Sequence, residues 1–565
     1  MDNQRLILLL VFFFSVFMLW DGWQKQGQPR PMPPIAATQG ASTSASVDNA
    51  ANAVPTPVTT MNPPASSPTP GAAVVPTATS AAAVQTAPGQ TIKTDLFIAE
   101  ISAQGGDLTR LELVKHRATE DGSKNFILFD NGEKHIYEAQ SGLIGENLPN
   151  HKSLYQFAST NTELKDGQDT LEVRLEAPAV NGLHVAKIYT FHRGSYLINV
   201  SYEVVNQGTA ALAPNVYFQM ERDGKPAETS TGHAMGVSVF TGPAVYTEQD
   251  KYQKVSFEDV DKGKAKYAQK ADNGWIAMVQ HYFVTAWLPQ GNGEREFYIN
   301  KLSEGLYRVG IILPMAQIAP GTSGKISVQL YAGPQEQDNL GKIAPGLNLV
   351  VDYGWLTVIA SPLFWVLEML HKMVGNWGWA IIALTVLLKL IFFPLSATSY
   401  KSMAKMKLVA PKLTKLKETY GDDRARLNQE MMELYKREKI NPLGGCLPIV
   451  VQIPVFISLY WVLLGTVEMR YAPFIGYIHD LSAKDPYYLL PLFMGATMFV
   501  QTRLNPTPPD PIQAKVMLFM PIVFTGMFLF FPSGLVLYWI VNNLLSIGQQ
   551  WQITRMIESG GKKAT

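Results

Sequence analysis

One lysine, Lys389, sits inside an otherwise apolar stretch that runs from Trp379 to Leu395. A cation near the bilayer centre costs on the order of 2.5–3.5 kcal/mol even on lenient insertion scales, so a chain that keeps one has a use for it. On a straight helix rising about 1.5 Å per residue, Lys389 lies roughly 15 Å from Trp379 and about 17 Å from Tyr400. Its stem reaches neither headgroup layer comfortably, so snorkelling explains it poorly. An ion pair, a helix-packing hydrogen bond or a water-filled cavity within the membrane remains. The chemistry such a group offers is electrostatic: it attracts an anion and then lets it go.

Other chemistries find little support. The nine histidines are scattered, with no HExxH pattern and no Cys/His cluster at metal-ligand spacing. A single cysteine, Cys446, excludes an intramolecular disulfide and lies in an apolar segment. Asp130, Glu133 and His135 fall close together, but a solvated turn accounts for them. No cofactor and no metal is expected. The net charge is +1, so the global charge excess of a nucleic-acid binder is missing. Charged residues make up 16% of the chain and hydrophobic ones 47%, a balance that suits a protein shared between water and lipid. At 565 residues the chain is too long for one compact core.

The elements that hold Lys389 follow from composition shifts. Residues 1–23 carry Arg5 and then the apolar run Leu6–Trp20, with no small-residue cleavage site after it; this predicts an uncleaved signal-anchor helix. Residues 24–90 are Pro, Ala, Thr and Ser with few large apolar side chains, which predicts a disordered linker. Residues 91–344 show strand patterning. Ile326, Val328 and Leu330 alternate with polar neighbours, and Val185–Phe191 and Tyr196–Val205 flank a turn at His192-Arg193-Gly194-Ser195. A β-sandwich is expected there.

Residues 345–374 carry Pro362, Glu368, His371 and Lys372, and Gly375-Asn376-Trp377-Gly378 breaks the chain after them. Apolar runs follow at about 376–395, 441–466, 487–503, 515–531 and 534–551, and 552–565 is a basic tail. Segment 396–440 holds eleven basic residues, whereas 467–486 holds only Arg470 and Lys484. The positive-inside bias therefore places the first in the cytoplasm. With the N-terminus inside and the β domain outside, one crossing must separate that domain from 396–440. The span is assigned to 376–395, and 345–374 is read as an interfacial amphipathic helix. Six crossings result, with both termini cytoplasmic. Within 396–440, Met403, Met406, Val409, Leu413 and Leu416 form one stripe. Leu427, Met431 and Leu434 form another beyond Gly421, so a helical hairpin is expected. Its charges are either just a wet face or a docking surface.

Four motifs add a resemblance. Lys439-Ile-Asn-Pro-Leu-Gly-Gly-Cys-Leu-Pro448 with Gln452-Ile-Pro454, Asp485-Pro-Tyr-Tyr488, and Phe531-Pro-Ser-Gly-Leu-Val-Leu-Tyr538 resemble the YidC/Oxa/Alb membrane-protein insertases. Trp275–Trp287 is similar to the large periplasmic domain of the bacterial YidC branch. The resemblance implies a multidomain protein of the bacterial inner membrane. It would have a signal-anchor, a periplasmic β-sandwich of the supersandwich kind, and a polytopic helical core of five transmembrane helices with a cytoplasmic hairpin. It implies an insertase and chaperone rather than an enzyme. The implied partners are nascent membrane proteins, the Sec translocon, membrane lipids, and the ribosome or targeting machinery at the hairpin and tail.

The family's core encloses a polar groove open to the cytoplasm and lipid, and Lys389 replaces an arginine there. A lysine lacks the guanidinium fork but keeps the charge, which is what attraction of an acidic tail requires. At a separation of ~6 Å and an effective dielectric of ~20, one such pair is worth roughly 3 kcal/mol. Thr385, one turn before Lys389, and Gln452 would wet the groove. Thr385 can instead back-bond to its own helix, Gln452 can instead bond between helices, and Lys389 can simply bond nearby carbonyls. Trp539 stands where the family often has tyrosine; with Tyr538, Asn542 and Asn543 it would edge the groove. Met517, Phe519, Met520, Phe524, Met527 and Phe528 either pack against lipid and neighbouring helices or form an adaptable slide. An ion or solute transporter is the rival reading, because intramembrane cations also mark ion pathways. A carbohydrate-acting outer domain rests on fold analogy alone.

Overall fold

The computed structural model describes residues 88–119, 121–132, 135–225, 239–303, 305–421, 423–438, 447–505 and 511–561. The expected signal-anchor, the linker up to residue 87, Glu133, Cys446 and the last four residues of the tail lie outside the described residues. Two units result, one ending at Val350 and one beginning at Val351.

The first unit contains a sandwich of two nine-stranded sheets whose neighbouring strands run antiparallel. Ile136–Ile144, Asn215–Asp223 and Leu306–Pro314 are adjacent in one sheet; Phe283–Pro289, Ser323–Pro334 and Leu197–Asn206 are adjacent in the other. The expected hairpin is present. Leu183–His192 pairs with Leu197–Asn206, with Val185 opposite Val204, and Gly194 turns the chain at φ 68°. That left-handed angle suits a residue without a side chain. In Ser323–Pro334, Val328 and Leu330 are buried while Lys325 and Ser327 are exposed, as alternation requires, but the strand's last five residues are buried on both faces. The sheets meet through ring contacts: Phe126 stacks on Phe283 at 4.1 Å, and Phe218 packs on Trp287 at 5.2 Å. The first strand begins at Gly89, just before the expected boundary, and the unit continues past Ala344 to a buried Leu347 and Val350.

Asp130 and His135 do not form a site together. Asp130 pairs with Arg110 at 3.0 Å, and His135 Nδ1 pairs with Asp223 at 2.8 Å.

The second unit is helical. Helix α1 spans Thr357–Val374 and closes on Gly375, whose φ of 70° lets its N–H reach the His371 carbonyl at 2.8 Å. Asn376 then caps α2, Trp377–Ile391, accepting from the Gly378 and Trp379 N–H groups at 2.9 and 3.2 Å. The Gly375–Gly378 break therefore works as a C-cap followed by an N-cap. Among the described residues, α1 is the one helix that by itself is long and apolar enough to cross a membrane. It also exposes Val358, Trp365 and Met373 and carries a Glu368–Lys372 ion pair at 2.8 Å.

The expected span 376–395 is not one straight helix. Helix α2 ends at Ile391, and α3, Phe393–Tyr420, leaves at 67° to it. Phe392 departs from helical geometry at ψ 6°, and Pro394, in the first turn of α3, has no N–H to continue the ladder. The straight-helix distance from Lys389 to Tyr400 therefore does not apply. Helix α4, Arg424–Arg437, completes the hairpin, and Val409, Leu413, Leu434 and Tyr435 form its buried seam with Met406, Leu416 and Met431 against them.

The remaining apolar runs are α5, Leu447–Gly465; α6, Leu489–Leu504; α7, Pro511–Phe528; and α8, Ser533–Gly561. Asp485 anchors the start of α6, with Oδ2 accepting from the Leu490 N–H at 2.7 Å and Oδ1 from the Tyr487 N–H at 2.9 Å. Helix α8 runs well past residue 551 into the segment read as a tail. It packs against α2, α3, α5 and α6, and is the element around which the unit closes.

Candidate functional site: a cation beside an interhelical cavity

Lys389 lies in the last turn of α2 with 8% of its surface exposed. Its ammonium donates to Ser546 Oγ of α8 at 2.7 Å. Ser546 in turn donates to the Asn542 carbonyl one turn earlier, also at 2.7 Å. The Asn542 side-chain oxygen accepts from Gln452 of α5, and Gln452 also lies 3.5 Å from the Tyr538 hydroxyl. Hydrogen bonds thus run from α2 through α8 to α5. Among the described residues, no carboxylate stands within ion-pairing distance of Lys389.

This network borders a cavity of about 370 Å³. At ~30 Å³ per molecule that is room for on the order of ten waters. Helix α3 contributes Ser396, Ser399, Tyr400 and Met403 to its wall; α5 contributes Gln452, Ile453 and Phe456; α6 contributes Met498, Gln501 and Thr502. Met517 and Met520 come from α7, and Trp539, Asn542, Asn543 and Ser546 from α8. One part of the lining is polar and another carries four methionines from three helices. The bend at Phe392 lets Lys389 of α2 and Tyr400 of α3 face a single space.

Of the residues singled out from sequence, Lys389, Gln452, Trp539, Asn542, Asn543, Met517 and Met520 share this cavity. Thr385 lines a smaller neighbouring pocket with Lys389 and Gln452, about 20 Å³ in volume. Its hydroxyl donates back to the Ile381 carbonyl at 2.7 Å, so the back-bonding reading describes it in this state. Gln452 makes the interhelical bond that was its alternative and still lines the cavity. Trp539 packs edge-on to Phe456 at 4.6 Å and against Phe528 at 5.3 Å. Its indole N–H finds no hydrogen-bond partner among the described residues.

Sequence reasoning did not find Ser546, Ser399, Gln501 or Asn505. A signal for Ser546 existed: Trp539, Asn542 and Ser546 follow at three- and four-residue spacing and so share one face of α8. Gln550, one turn further on, donates to Asn505 Oδ1 at 3.0 Å.

The comparisons agree with this architecture. Residues 90–366 match the family model described as the YidC periplasmic domain, and residues 369–560 match the one described as 60Kd inner membrane protein. A chain of Aromatoleum aromaticum named membrane protein insertase YidC is 61% identical over 559 residues, spanning 99% of this chain and 98% of its own. The chain belongs to the YidC family of membrane protein insertases. A YidC of Dechloromonas aromatica is 58% identical over 566 residues, covering 100% of this chain and 99% of that one. Among solved structures, one titled as an active YidC insertase with its first transmembrane domain resolved covers 82% of this chain and 94% of its own, at 18% identity and a TM-score of 0.40.

Proposed function

We propose that this protein moves transmembrane segments of new proteins from the cytoplasm into the inner membrane, using the cavity beside Lys389 as a hydrated half-channel. The observation that carries this reading is a nearly buried ammonium with no carboxylate partner among the described residues, at the wall of a roomy cavity lined partly by polar side chains. An inserting protein must take a short polar tail across about 30 Å of hydrocarbon. Water inside the helical unit shortens the dry part of that path. The ammonium attracts an acidic tail by roughly 3 kcal/mol at ~6 Å and an effective dielectric of ~20, which helps entry and still permits release. The substrate's apolar helix then leaves sideways into lipid, past methionines whose unbranched, polarizable side chains adapt to many partners. No covalent step is involved.

In the topology we propose, the β-sandwich is periplasmic and α1 lies along the outer interface. Helices α2, α5, α6, α7 and α8 cross the membrane with the signal-anchor, and both termini are cytoplasmic. The hairpin of α3 and α4 presents its lysines and arginines to the ribosome or targeting machinery. The Sec translocon is a partner for larger substrates.

The test is a charge series at one position. Lys389→Arg and Lys389→Glu are compared with the parent for insertion of a single-span substrate with an acidic short tail. Arginine is expected to sustain insertion and glutamate to abolish most of it. Equal insertion by all three chains would remove the charge from the mechanism.

A further inference from the structure

We propose that Ser546 is a positioning residue that fixes the depth of the Lys389 charge and so sets the preference for acidic substrate tails. This inference rests on the half-channel reading and adds to it. Ser546 is 2% exposed; its Oγ accepts from Lys389 Nζ and donates to the Asn542 carbonyl, each at 2.7 Å, and the Tyr400 hydroxyl of α3 bonds to it as well. A hydroxyl has one hydrogen and two lone pairs. With its hydrogen committed backwards along α8, Ser546 offers Lys389 only an acceptor. Asn542 is held as well, because its side chain receives the Gln452 amide. The acceptor therefore sits on a helix turn pinned to α5.

Lysine makes such an anchor necessary. Its ammonium is a point charge on a flexible four-carbon stem, without the rigid fork that lets an arginine hold its own orientation. Of its three N–H donors, Ser546 takes one. The other two have no protein partner among the described residues and are left for water or an incoming carboxylate. Coulomb attraction falls with the inverse of distance. If the freed ammonium drifts from ~6 to ~9 Å from a bound carboxylate, about a third of the attraction is lost, on the order of five-fold in occupancy at an effective dielectric of ~20.

The experiment uses the full-length protein and two versions of one single-span substrate, with short tails carrying either two aspartates or two asparagines. The readout is the ratio of aspartate-tail to asparagine-tail insertion, which a general packing defect does not move. Ser546→Ala is expected to lower the ratio about five-fold. Ser546→Thr is expected to keep it, since a threonine hydroxyl makes the same back-bond and accepts the same donor. If the alanine chain does not accumulate, Ser546→Cys asks the same question with a poorer acceptor. An unchanged ratio in the alanine or cysteine chain, or a ratio that threonine fails to keep, overturns the proposal. Lys389→Gln separates this outcome from failure of the underlying reading. If glutamine lowers the ratio and Ser546→Ala does not, the half-channel stands and the anchor falls. If glutamine leaves it unchanged, both fall.

Discussion

The β-sandwich contains a buried ion pair that gives a quantitative prediction. Lys187 is fully buried and Asp107 nearly so, with Nζ to Oδ1 at 3.0 Å and Nζ to the Gly105 carbonyl also at 3.0 Å. The rings of Tyr189 and Tyr202 lie 5.5 and 5.9 Å from the ammonium. Burial lifts the Asp107 carboxyl to about 6, even against the pull of Lys187. Lys187→Met keeps the stem's volume and removes the charge. Asp107 is then left with the Ser141 N–H at 3.3 Å as its remaining donor. Breaking a buried pair from one side costs about 3–5 kcal/mol. Asp107→Asn in the same chain removes the stranded charge and should recover about 2 kcal/mol of that loss.

The assay for this pair is urea unfolding of the detergent-solubilised full chain, with hydrogen exchange across Leu183–His192 reporting this unit. The penalty for Lys187→Met should shrink as pH falls through the carboxyl's range, because a protonated Asp107 needs no counter-ion. A single-mutant cost below about 1 kcal/mol, or a coupling below about 0.5 kcal/mol, would refute the argument.

Two further outcomes are expected. Burial, and then the charges of Asp107 and Glu221, push the Glu138 carboxyl up to about 7. Because its folded pKa is raised, its contribution to stability is complete below the usual glutamate range and is lost as pH rises through 7, up to about 3 kcal/mol in all. Glu138→Gln should therefore flatten the fall in the sandwich's stability between about pH 4.5 and 8, read by hydrogen exchange across Ile136–Ile144; an unchanged pH slope would count against this. In the helical unit, Trp539→Ala removes the ring that packs on Phe456 and Phe528 and should cost about 3–5 kcal/mol. Trp539→Phe keeps an aromatic ring there and should retain most of that stability, since the indole N–H has no partner to lose among the described residues. Equal losses of thermal stability in detergent would contradict this account.

A lysine in an apolar helix, amphipathic stripes at helical spacing, and strand alternation around Gly194 could all be read from the chain itself. Each is a local property: hydrophobic period and turn chemistry act over a few residues and survive translation into elements. For the same reason the β-sandwich, the hairpin seam of Val409, Leu413 and Leu434, and Lys389 as a candidate could be read beforehand, whereas Gln452 and Trp539 came from the family resemblance. The bend at Phe392 was written in Pro394, but the apolar run around it concealed the break.

Only tertiary structure decided which distant groups meet. Ser546 lies 157 positions from the lysine it receives, and Asp107 lies 80 from Lys187. No local pattern specifies such partners. A buried polar group must find a complement somewhere, and packing among helices and sheets determines which one comes within 3 Å. The cavity has the same origin: side chains from six helices define a space that no single segment describes.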